Sequence, residues 1–426
     1  MNLKLLISRI SRKKFIYTVN FFLAFIYFYS ATRTNPFSIK VQYTQLNIKN
    51  NKNSTRQLEE FDNILKIDCN VSLNKYPLNC LQQVKLYDKK YQRQKTCNEC
   101  FYDAATTSKL IIYHHTFWNL DIKNSTCYKF QMRILKLNIM SYLATQNLCC
   151  TRFILWKLDN FPVKPMQEIE NFFQYYIKHG ILQIKTFNLN DICKDATSSF
   201  SLTKLCSRFF YRNVNLSKRN DLVVALSDLI RFVVLELYPG IYTDGDVIYL
   251  KDMRDLWHFN FAYRWSLTLD FNTAILGINS KLDARVEQIY ESILNSFSFG
   301  LSGFYYLFHP YKVSRLVKNL NDGKSSFGFE AFRVLNSVLF DPAWICKDGG
   351  GNLTQEDGFG VCQFTEFNKE TSLLAEQSNF SIEDFFVGAF TYHIHFGNLG
   401  CVIEEKSFLR YFEFFYLKKL RHLQNS

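Results

Sequence analysis

Short apolar runs alternate with longer amphipathic stretches between residues 108 and 187, and this alternation is the strongest constraint on how the chain can fold. The short runs are rich in β-branched and aromatic residues and are predicted to be strands, whereas the longer stretches repeat apolar residues at helical spacing. The predicted strands are 109–118, 151–158 and 182–187, and the predicted helices are 130–148 and 166–179. This order favours the α/β class, with a mainly parallel sheet that binds ligands beyond the carboxyl ends of its strands.

A third predicted helix, at 221–237, is followed by a strand and a pair of carboxylates. The helix is apolar nearly all round and is therefore predicted to be buried on most of its faces. Pro239-Gly240 ends the helix, and the strand that begins at Ile241 ends in Asp244-Gly245-Asp246. The two carboxylates are thus expected at the edge where such a sheet binds its ligands.

Four charged residues in this segment are candidates for chemistry. Asp228 and Arg231 are three residues apart on the helix, so their side chains share one face. Asp244 and Asp246 flank a glycine at a strand end, where alternation puts both carboxylates on the same side of the chain. Two close carboxylates repel each other and one pKa rises, unless a divalent cation such as Mg²⁺ or Mn²⁺ removes the repulsion. Taken separately, the pairs also have structural interpretations, namely a buried ion pair and an acidic surface turn.

The order and spacing of these residues resemble the sugar-binding region of DXD-motif glycosyltransferases. Residues 227–250 contain Ser-Asp-x-x-Arg, the rest of a helix, and then Gly-x-Tyr-x-Asp-x-Asp. The family includes α-1,4-galactosyltransferases, fungal initiating α-mannosyltransferases and, more distantly, large clostridial glucosylating toxins. Two positions differ from the family pattern, since Pro239-Gly240 replaces Gly-Gly and Gly245 replaces a larger residue. Upstream, HHTFW at 114–118 resembles the family's first-strand element.

The resemblance implies a GT-A fold, which is a Rossmann-like nucleotide-sugar-binding fold, and retaining transfer from a nucleotide-sugar donor to a glycan acceptor. On this interpretation Asp244 and Asp246 hold Mn²⁺ or Mg²⁺ and, through it, the donor diphosphate, whose developing charge the cation offsets. Asp228 accepts hydrogen bonds from the donor sugar, and Arg231 contacts the sugar or diphosphate and keeps Asp228 ionised. The expected sugar is a hexose or N-acetylhexosamine, with UDP favoured as the nucleotide. No catalytic nucleophile or base is identified.

Other positions are further candidates. Asn272 lies in a segment similar to the family's Asn-x-Ala-Ile-Leu sequence, and we expect it either to face a bound sugar or to cap a turn. His393 and His395 alternate, so both imidazoles point the same way; His395 is preferred as a further metal ligand, and a half-buried or surface pair is the alternative. Trp118 is expected either to stack on the donor nucleobase or to lie in the core.

The N-terminus has the pattern of a membrane anchor. Residues 15–32 contain no charge and are about long enough to cross a bilayer. Residues 1–33 contain six basic and no acidic residues, in a chain whose net charge is +13. Basic residues before such a span keep the N-terminus cytoplasmic, which predicts a single-pass type II protein of the Golgi or ER membrane with its body in the lumen. A cleaved signal peptide is the alternative.

The sequence up to residue 107 is polar and rich in Asn, Lys and Gln, and is interpreted as a luminal stem. All 12 cysteines follow the anchor, and in a secretory lumen they are expected to form disulfides. Cys69, Cys80, Cys97 and Cys100 are expected to staple the distal half of the stem, although Cys97-x-x-Cys100 is also half of a zinc pattern. Six Asn-x-Ser/Thr sequons agree with a luminal chain.

The predicted organisation is a cytoplasmic tail (1–14), a transmembrane anchor (15–32), a stem (33–107) and a glycosyltransferase catalytic domain (108–426). The main alternative is a catalytically inactive luminal glycan-binding or scaffold protein on the same fold. A phosphatase with an Asp-x-Asp nucleophile is disfavoured, because Ile248 stands where such enzymes usually have Thr. A nucleic-acid partner, which the positive charge would allow, is disfavoured by the anchor and the cysteines.

Overall fold

The computed structural model describes little more than half of the predicted catalytic domain. The described residues are 100, 110–118, 125–159, 161–195, 202–203, 206–207, 223–258, 260–264, 271–278, 333–343, 389–395, 401–405 and 407–425. The predicted tail, the predicted anchor and nearly all of the predicted stem lie outside them. Among the helices of these ranges, none is both long and apolar enough to cross a membrane.

Strands and helices alternate through the first part of the described chain and give way to short strands later. The strands are β1 (Ile112–Phe117), β2 (Thr151–Leu158), β3 (Leu182–Phe187), β4 (Gly240–Thr243), β5 (Val247–Tyr249), β6 (Phe261–Arg264), β7 (Phe271–Ile278), β8 (Arg333–Leu335) and β9 (Thr391–His393). The α-helices are α1 (Ser125–Thr145), α2 (Val163–Phe172), α3 (Gln174–Lys178), α4 (Leu189–Asp195), α5 (Val223–Leu237) and α6 (Phe408–Asn425), and 3₁₀ helices cover Arg254–His258 and Ser337–Leu339.

Of the strands within the described ranges, seven form one mixed sheet in the order β3-β2-β1-β4-β7-β6-β8. The strands β3, β2, β1 and β4 are parallel to one another, whereas β7 runs antiparallel to both β4 and β6. β8 is parallel to β6, and a separate two-stranded sheet pairs β5 with β9 in the antiparallel direction. The protein is therefore of the mixed α/β class with a mostly parallel central sheet, as predicted.

The predicted elements of the parallel half are present, some with shifted bounds. β2 and β3 coincide with the predicted strands, and α1 begins earlier than predicted, at Ser125. The helix predicted at 166–179 is interrupted at Phe173, which separates α2 from α3. Gly180 follows α3 with a φ of +68°, a left-handed conformation that glycine adopts without the steric cost of a side chain.

Two buried helices pack against the strands that carry the candidate residues. α5 packs against β1, β4 and β7, and all its residues from 229 to 235 are buried, as its apolar sequence predicts. α1 packs against β5 and α6. At the second contact Arg133 Nε donates a hydrogen bond to Glu413 Oε1 at 2.6 Å, and α6 is thereby fixed to the side of α1.

Three disulfides lie within the described residues. They are Cys100–Cys150, Cys127–Cys401 and Cys193–Cys206. We expected Cys100 to staple the predicted stem to itself, and this prediction was wrong. Cys100 instead joins the end of the predicted stem to Cys150, the residue before β2. Because its sulfur is in a disulfide, Cys100 is also not available as a zinc ligand, which contradicts the zinc interpretation of Cys97-x-x-Cys100.

Two adjacent histidines of β1 are fully buried. His115 Nδ1 accepts a hydrogen bond from Trp156 Nε1 at 3.1 Å, so its Nε2 carries the proton that is donated to the Tyr238 carbonyl oxygen at 2.9 Å. The ring of His114 lies against the ring of Tyr249. Burial lowers the pKa of both imidazoles to about 3, and the neighbouring His115 adds to this effect for His114. Both rings are therefore neutral at pH 7.

We predict that the free energy of unfolding falls as the pH is lowered from about 6.5, in part because of His115. The unfolded chain takes up a proton near pH 6.5, whereas folded His115 does so only near pH 3, so acid favours the unfolded state. In the variant His115→Gln the slope of the unfolding free energy against pH should therefore be smaller, by up to about 1.4 kcal/mol per pH unit. Urea unfolding at a series of pH values measures it.

The matched control is His179→Gln, because the His179 ring is exposed. This variant should keep the pH dependence of the wild type. If the profile of His115→Gln also ran parallel to that of the wild type, the buried, neutral state of His115 would be contradicted.

Candidate functional site

Asp244 follows β4 directly, beside the carboxyl end of the parallel strand β1. Its backbone N–H donates to the Ala274 carbonyl oxygen of β7 at 2.8 Å. The next residues form a tight turn, which is closed by the Val247 N–H donating to the Asp244 carbonyl oxygen at 3.1 Å. The prediction that the strand runs on to Asp246 was therefore wrong. The turn, and not strand alternation, brings together the carboxylates of Asp244 and Asp246, which we call the Asp pair.

The strand after the turn, β5, is held by side chains of two helices. Asn138 of α1 donates its Nδ2 hydrogen to the Val247 carbonyl oxygen at 2.7 Å, and the Tyr249 N–H donates to the Ser141 hydroxyl oxygen at 3.0 Å. Tyr416 of α6 donates its hydroxyl hydrogen to the Tyr249 carbonyl oxygen at 2.8 Å. These bonds fix β5, and with it the end of the turn that carries the Asp pair.

A histidine of β9 lies beside the Asp pair. His393 is opposite Val247 in the β5–β9 pairing, and the Ile394 N–H donates to the Asp246 carbonyl oxygen at 2.9 Å. As a result, His393 Nε2 lies 3.2 Å from Asp246 Oδ1. One ligand atom from each of Asp244, Asp246 and His393 lies within 4.8 Å of the others, a spacing that one metal ion could bridge.

The ligand atoms of this cluster fit a divalent cation. Two carboxylate oxygens suit Mg²⁺ or Mn²⁺, and the imidazole nitrogen favours a transition metal such as Mn²⁺ over Mg²⁺. Burial raises the pKa of Asp244; Arg231 opposes this rise, and the Asp246 carboxylate adds to it. The predicted repulsion within the Asp pair is thus present, and a bound cation would remove it.

Arg231 is a buried cation between Asp228 and the Asp pair. Its Nη2 lies 3.0 Å from Asp228 Oδ1 and 3.4 Å from Asp244 Oδ1, and its Nη1 donates to the Thr273 hydroxyl oxygen at 2.5 Å. The expected contact of Asp228 with Arg231 is confirmed. Burial nevertheless raises the pKa of Asp228 to about 6, against the opposing effect of Arg231. Arg231 therefore keeps Asp228 ionised only above about pH 6.

His395, the predicted metal ligand, contacts a different carboxylate. Its Nε2 lies 2.7 Å from Oδ2 of the fully buried Asp341, and its ring lies against that of His393 at a tilt of 32°, with the centroids 3.8 Å apart. Burial acts to raise the pKa of Asp341, but the two imidazoles, His395 foremost, hold it below its usual value. The structure thus places His393 next to Asp246, and the assignment of His395 as a metal ligand stays a prediction.

Trp118 and Asn272, the other predicted donor-binding residues, belong to the strands that flank β4: Trp118 follows β1, and Asn272 lies in β7. Trp118 is buried at the end of β1, where a β-carbon at Gly245 would overlap its ring. Asn272 Oδ1 accepts a hydrogen bond from the Ala274 backbone N–H at 2.8 Å, within the first residues of β7. Their roles in binding a donor stay predictions.

Three further residues near the site were not predicted from the sequence. Thr273 contacts Arg231, and the only signal for it was its position next to Asn272 in the strand. Tyr263 and Asp341 contact each other, with the Tyr263 hydroxyl oxygen 3.4 Å from Asp341 Oδ2. No motif marks either residue, although Asp341 is a lone acidic residue in a mostly apolar segment.

One family of known proteins matches the part of the chain that contains most of the candidate site. Residues 162–262 match the family described as "glycosyltransferase sugar-binding region containing DXD motif". The match runs from α2 to β6 and includes Asp228, Arg231 and the Asp pair. No curated protein sequence matches the chain.

Two solved structures show weak similarity. One is described as "PaToxG Glycosyltransferase"; it is 13% identical, with a TM-score of 0.33 over 62% of this chain and 80% of that one. The other is described as a transferase; it is 14% identical, with a TM-score of 0.31 over 52% of this chain and 88% of that one. At these scores neither likeness bears on activity. The family match shows that residues 162–262 are similar to the sugar-binding region of DXD-motif glycosyltransferases, in agreement with the resemblance that the sequence suggests.

We predict that Gly245→Ala displaces the turn that carries the Asp pair, because the new β-carbon would overlap the Trp118 ring. Overpacking of this kind costs about 1–3 kcal/mol. The variant should therefore show a lower melting temperature and weaker Mn²⁺ binding, measured by circular dichroism and by Mn²⁺ titration. In a Trp118→Leu background, where the ring is absent, the same change should have a smaller effect on both. Equal effects in the two backgrounds would show that the contact with Trp118 does not shape the turn.

Proposed function

We propose that this chain is a single-pass type II membrane glycosyltransferase that transfers a hexose or N-acetylhexosamine from a nucleotide-sugar to a glycan acceptor on lipid or protein. UDP is the favoured nucleotide. Transfer requires a divalent cation, Mn²⁺ or Mg²⁺, and retains the anomeric configuration. We propose that the protein resides in the Golgi or ER membrane, with its catalytic domain in the lumen.

One arrangement supports this proposal more than any other. The Asp pair and His393 meet beside the carboxyl ends of the parallel strands, and Arg231 connects the pair to Asp228. Ligands of α/β sheets bind at this edge, and Asp228, Arg231 and the Asp pair lie inside the region that matches the family. The mostly parallel sheet supports the GT-A fold that the resemblance implies, and retention is proposed from that resemblance.

The residues have distinct tasks in such a reaction. When the sugar leaves its nucleotide, negative charge grows on the departing diphosphate, and a bound divalent cation supplies the neutralising charge. Asp244, Asp246 and His393 would hold that cation. Arg231 holds Asp228 and Asp244 in place by contacting both carboxylates. Asp228, whose side chain is 22% exposed, can accept hydrogen bonds from donor hydroxyl groups. No residue is assigned as the base or nucleophile.

We predict that the full-length protein, purified in detergent from a eukaryotic host, releases nucleotide from one donor in a panel of UDP- and GDP-sugars when Mn²⁺ is present. The double variant Asp244→Asn, Asp246→Asn should lower this release by about 10²-fold or more, because a cation supplies several kcal/mol of transition-state stabilisation. Free nucleotide measured with and without Mn²⁺ gives both results in one assay.

The matched control is Glu170→Gln, Asp191→Asn, which also removes two carboxylates, both from exposed positions. It should retain the activity of the wild type. A folded wild-type protein that neither binds nor cleaves any donor would contradict the proposed function. That outcome would favour the alternative of an inactive luminal glycan-binding or scaffold protein.

We further predict that the body of the chain is luminal. In intact microsomes containing the full-length chain with a C-terminal tag, the tag should resist added protease until detergent opens the membrane. An N-terminal tag should be accessible and should remain on the mature protein, because residues 15–32 are expected to be an uncleaved anchor. Loss of the N-terminal tag would indicate a cleaved signal peptide, and digestion of the C-terminal tag in intact microsomes would contradict the topology.

A further inference from the structure

A buried carboxylate lies behind His393, on the side away from the Asp pair. Asp341 is fully buried, at the end of the short helical segment Ser337–Leu339. Its Oδ2 is 2.7 Å from His395 Nε2, 3.4 Å from the Tyr263 hydroxyl oxygen and 3.6 Å from His393 Nδ1. Its Oδ1 is buried and has no hydrogen-bond partner among the residues that the structure describes. A buried carboxylate oxygen without a hydrogen-bond partner lowers the stability of the folded state, and such residues are found where they serve a function.

The two ring nitrogens of His393 face opposite groups. Nε2 is 3.2 Å from Asp246 Oδ1, whereas Nδ1 is directed to Asp341 and lies 3.3 Å from the Tyr263 hydroxyl oxygen. A neutral imidazole carries one N–H, and the other nitrogen offers a lone pair. With the proton on Nδ1, pointing to Asp341 and Tyr263, the lone pair of Nε2 is presented to the Asp pair. The opposite tautomer would present an N–H there, which is no ligand for a metal.

His395 holds Asp341 in place. Its Nε2 makes the shortest of these contacts with the Asp341 carboxylate, and the centroid of its ring is 3.8 Å from that of His393. Its backbone has a φ of +54°, in the left-handed region that a histidine seldom occupies. Such conformations persist where the surrounding structure imposes them, and they are common at functional sites.

We propose that Asp341 is a positioning residue for the cation site. Anchored by His395, its carboxylate attracts the Nδ1 edge of His393 across 3.6 Å and also accepts from the Tyr263 hydroxyl, which lies 3.3 Å from Nδ1, and so directs Nε2 towards the Asp pair. The inference rests on the proposed function, because it takes His393 as a ligand of the cation. Carboxylates that accept the second N–H of a ligating histidine fix its tautomer and orientation, and their loss typically weakens metal binding by about 10- to 100-fold.

Titration of the full-length protein with Mn²⁺, in the absence of any donor, tests this role. The electron paramagnetic resonance signal of free Mn²⁺ gives the amount bound. Asp341→Asn should raise the dissociation constant for Mn²⁺ by about 10- to 100-fold. In a His393→Ala background, which has no ring to position, Asp341→Asn should have no further effect. A merely structural role would weaken binding equally in both backgrounds, so this difference is the decisive result.

Three other outcomes would overturn the proposal. Asp341→Asn could bind Mn²⁺ as tightly as the wild type does. His393→Ala could leave the affinity for Mn²⁺ unchanged, which would show that the ring is not a ligand. The wild type could bind two ions, of which Asp341→Asn loses one while the other keeps its affinity; Asp341 would then itself be a ligand, together with His393 and His395.

Two further variants make the result interpretable. Asp244→Asn, Asp246→Asn should abolish Mn²⁺ binding; if it does not, the proposed cation site itself has failed, and not only the role of Asp341. If Asp341→Asn does not fold, His395→Asn replaces it, because asparagine tolerates the left-handed conformation but is too short to anchor Asp341. His395→Asn should also weaken Mn²⁺ binding, and it should lose this effect in the His393→Ala background. Equal effects in both backgrounds would overturn the proposal.

Discussion

Three carboxylates meet at one edge of the sheet, and much of the surrounding structure serves to hold them there. Asp228, Asp244 and Asp246 face two groups that can carry positive charge, Arg231 and the His393 imidazole. Carboxylates in a partly buried space repel one another unless cations offset the repulsion. Arg231 lies on the Asp228 side and His393 on the Asp246 side. The space between Asp244 and Asp246 is therefore where a further positive charge would stabilise the site most.

The backbone that carries these charges is fixed by polar side chains from a buried helix. Asn138 and Ser141 of α1 are buried in an otherwise largely apolar surface, and both bond to the backbone of β5. Each bond satisfies a buried polar group on the helix and another on the strand, so that loss of either partner would leave a costly unpaired group. The helix thus stabilises the core and also sets the position of the turn that follows β4.

Local sequence patterns were sufficient to predict the strands and helices of the parallel half of the fold, because each of these elements is long enough to show its own periodicity. The Asp228–Arg231 contact could be predicted for the same reason, since both residues lie on one helix. β9 could not be placed in this way: it has three residues, and it pairs with a strand more than 140 residues earlier. The 244–246 turn was predicted to be part of a strand. In a strand as in this turn, the side chains of Asp244 and Asp246 lie on the same side of the chain, so the sequence pattern does not separate the two conformations. Asp341 was missed because one acidic residue in a mostly apolar segment carries no motif, and its tertiary contacts are what mark it.

The pairing of β5 with β9 also determines when the site can be completed during synthesis. His393 emerges from the ribosome 149 residues after Asp244, a delay of roughly 7–30 s at usual elongation rates. During that interval β5 lacks its partner strand, and the carboxylates of the Asp pair lack the imidazole beside them. The disulfide between Cys127 and Cys401 closes eight residues after His393 and joins the start of α1 to the segment that follows β9. The cluster is therefore completed late, on a sheet whose parallel strands have already been made, and α6, which bonds to β5 through Tyr416, is made later still.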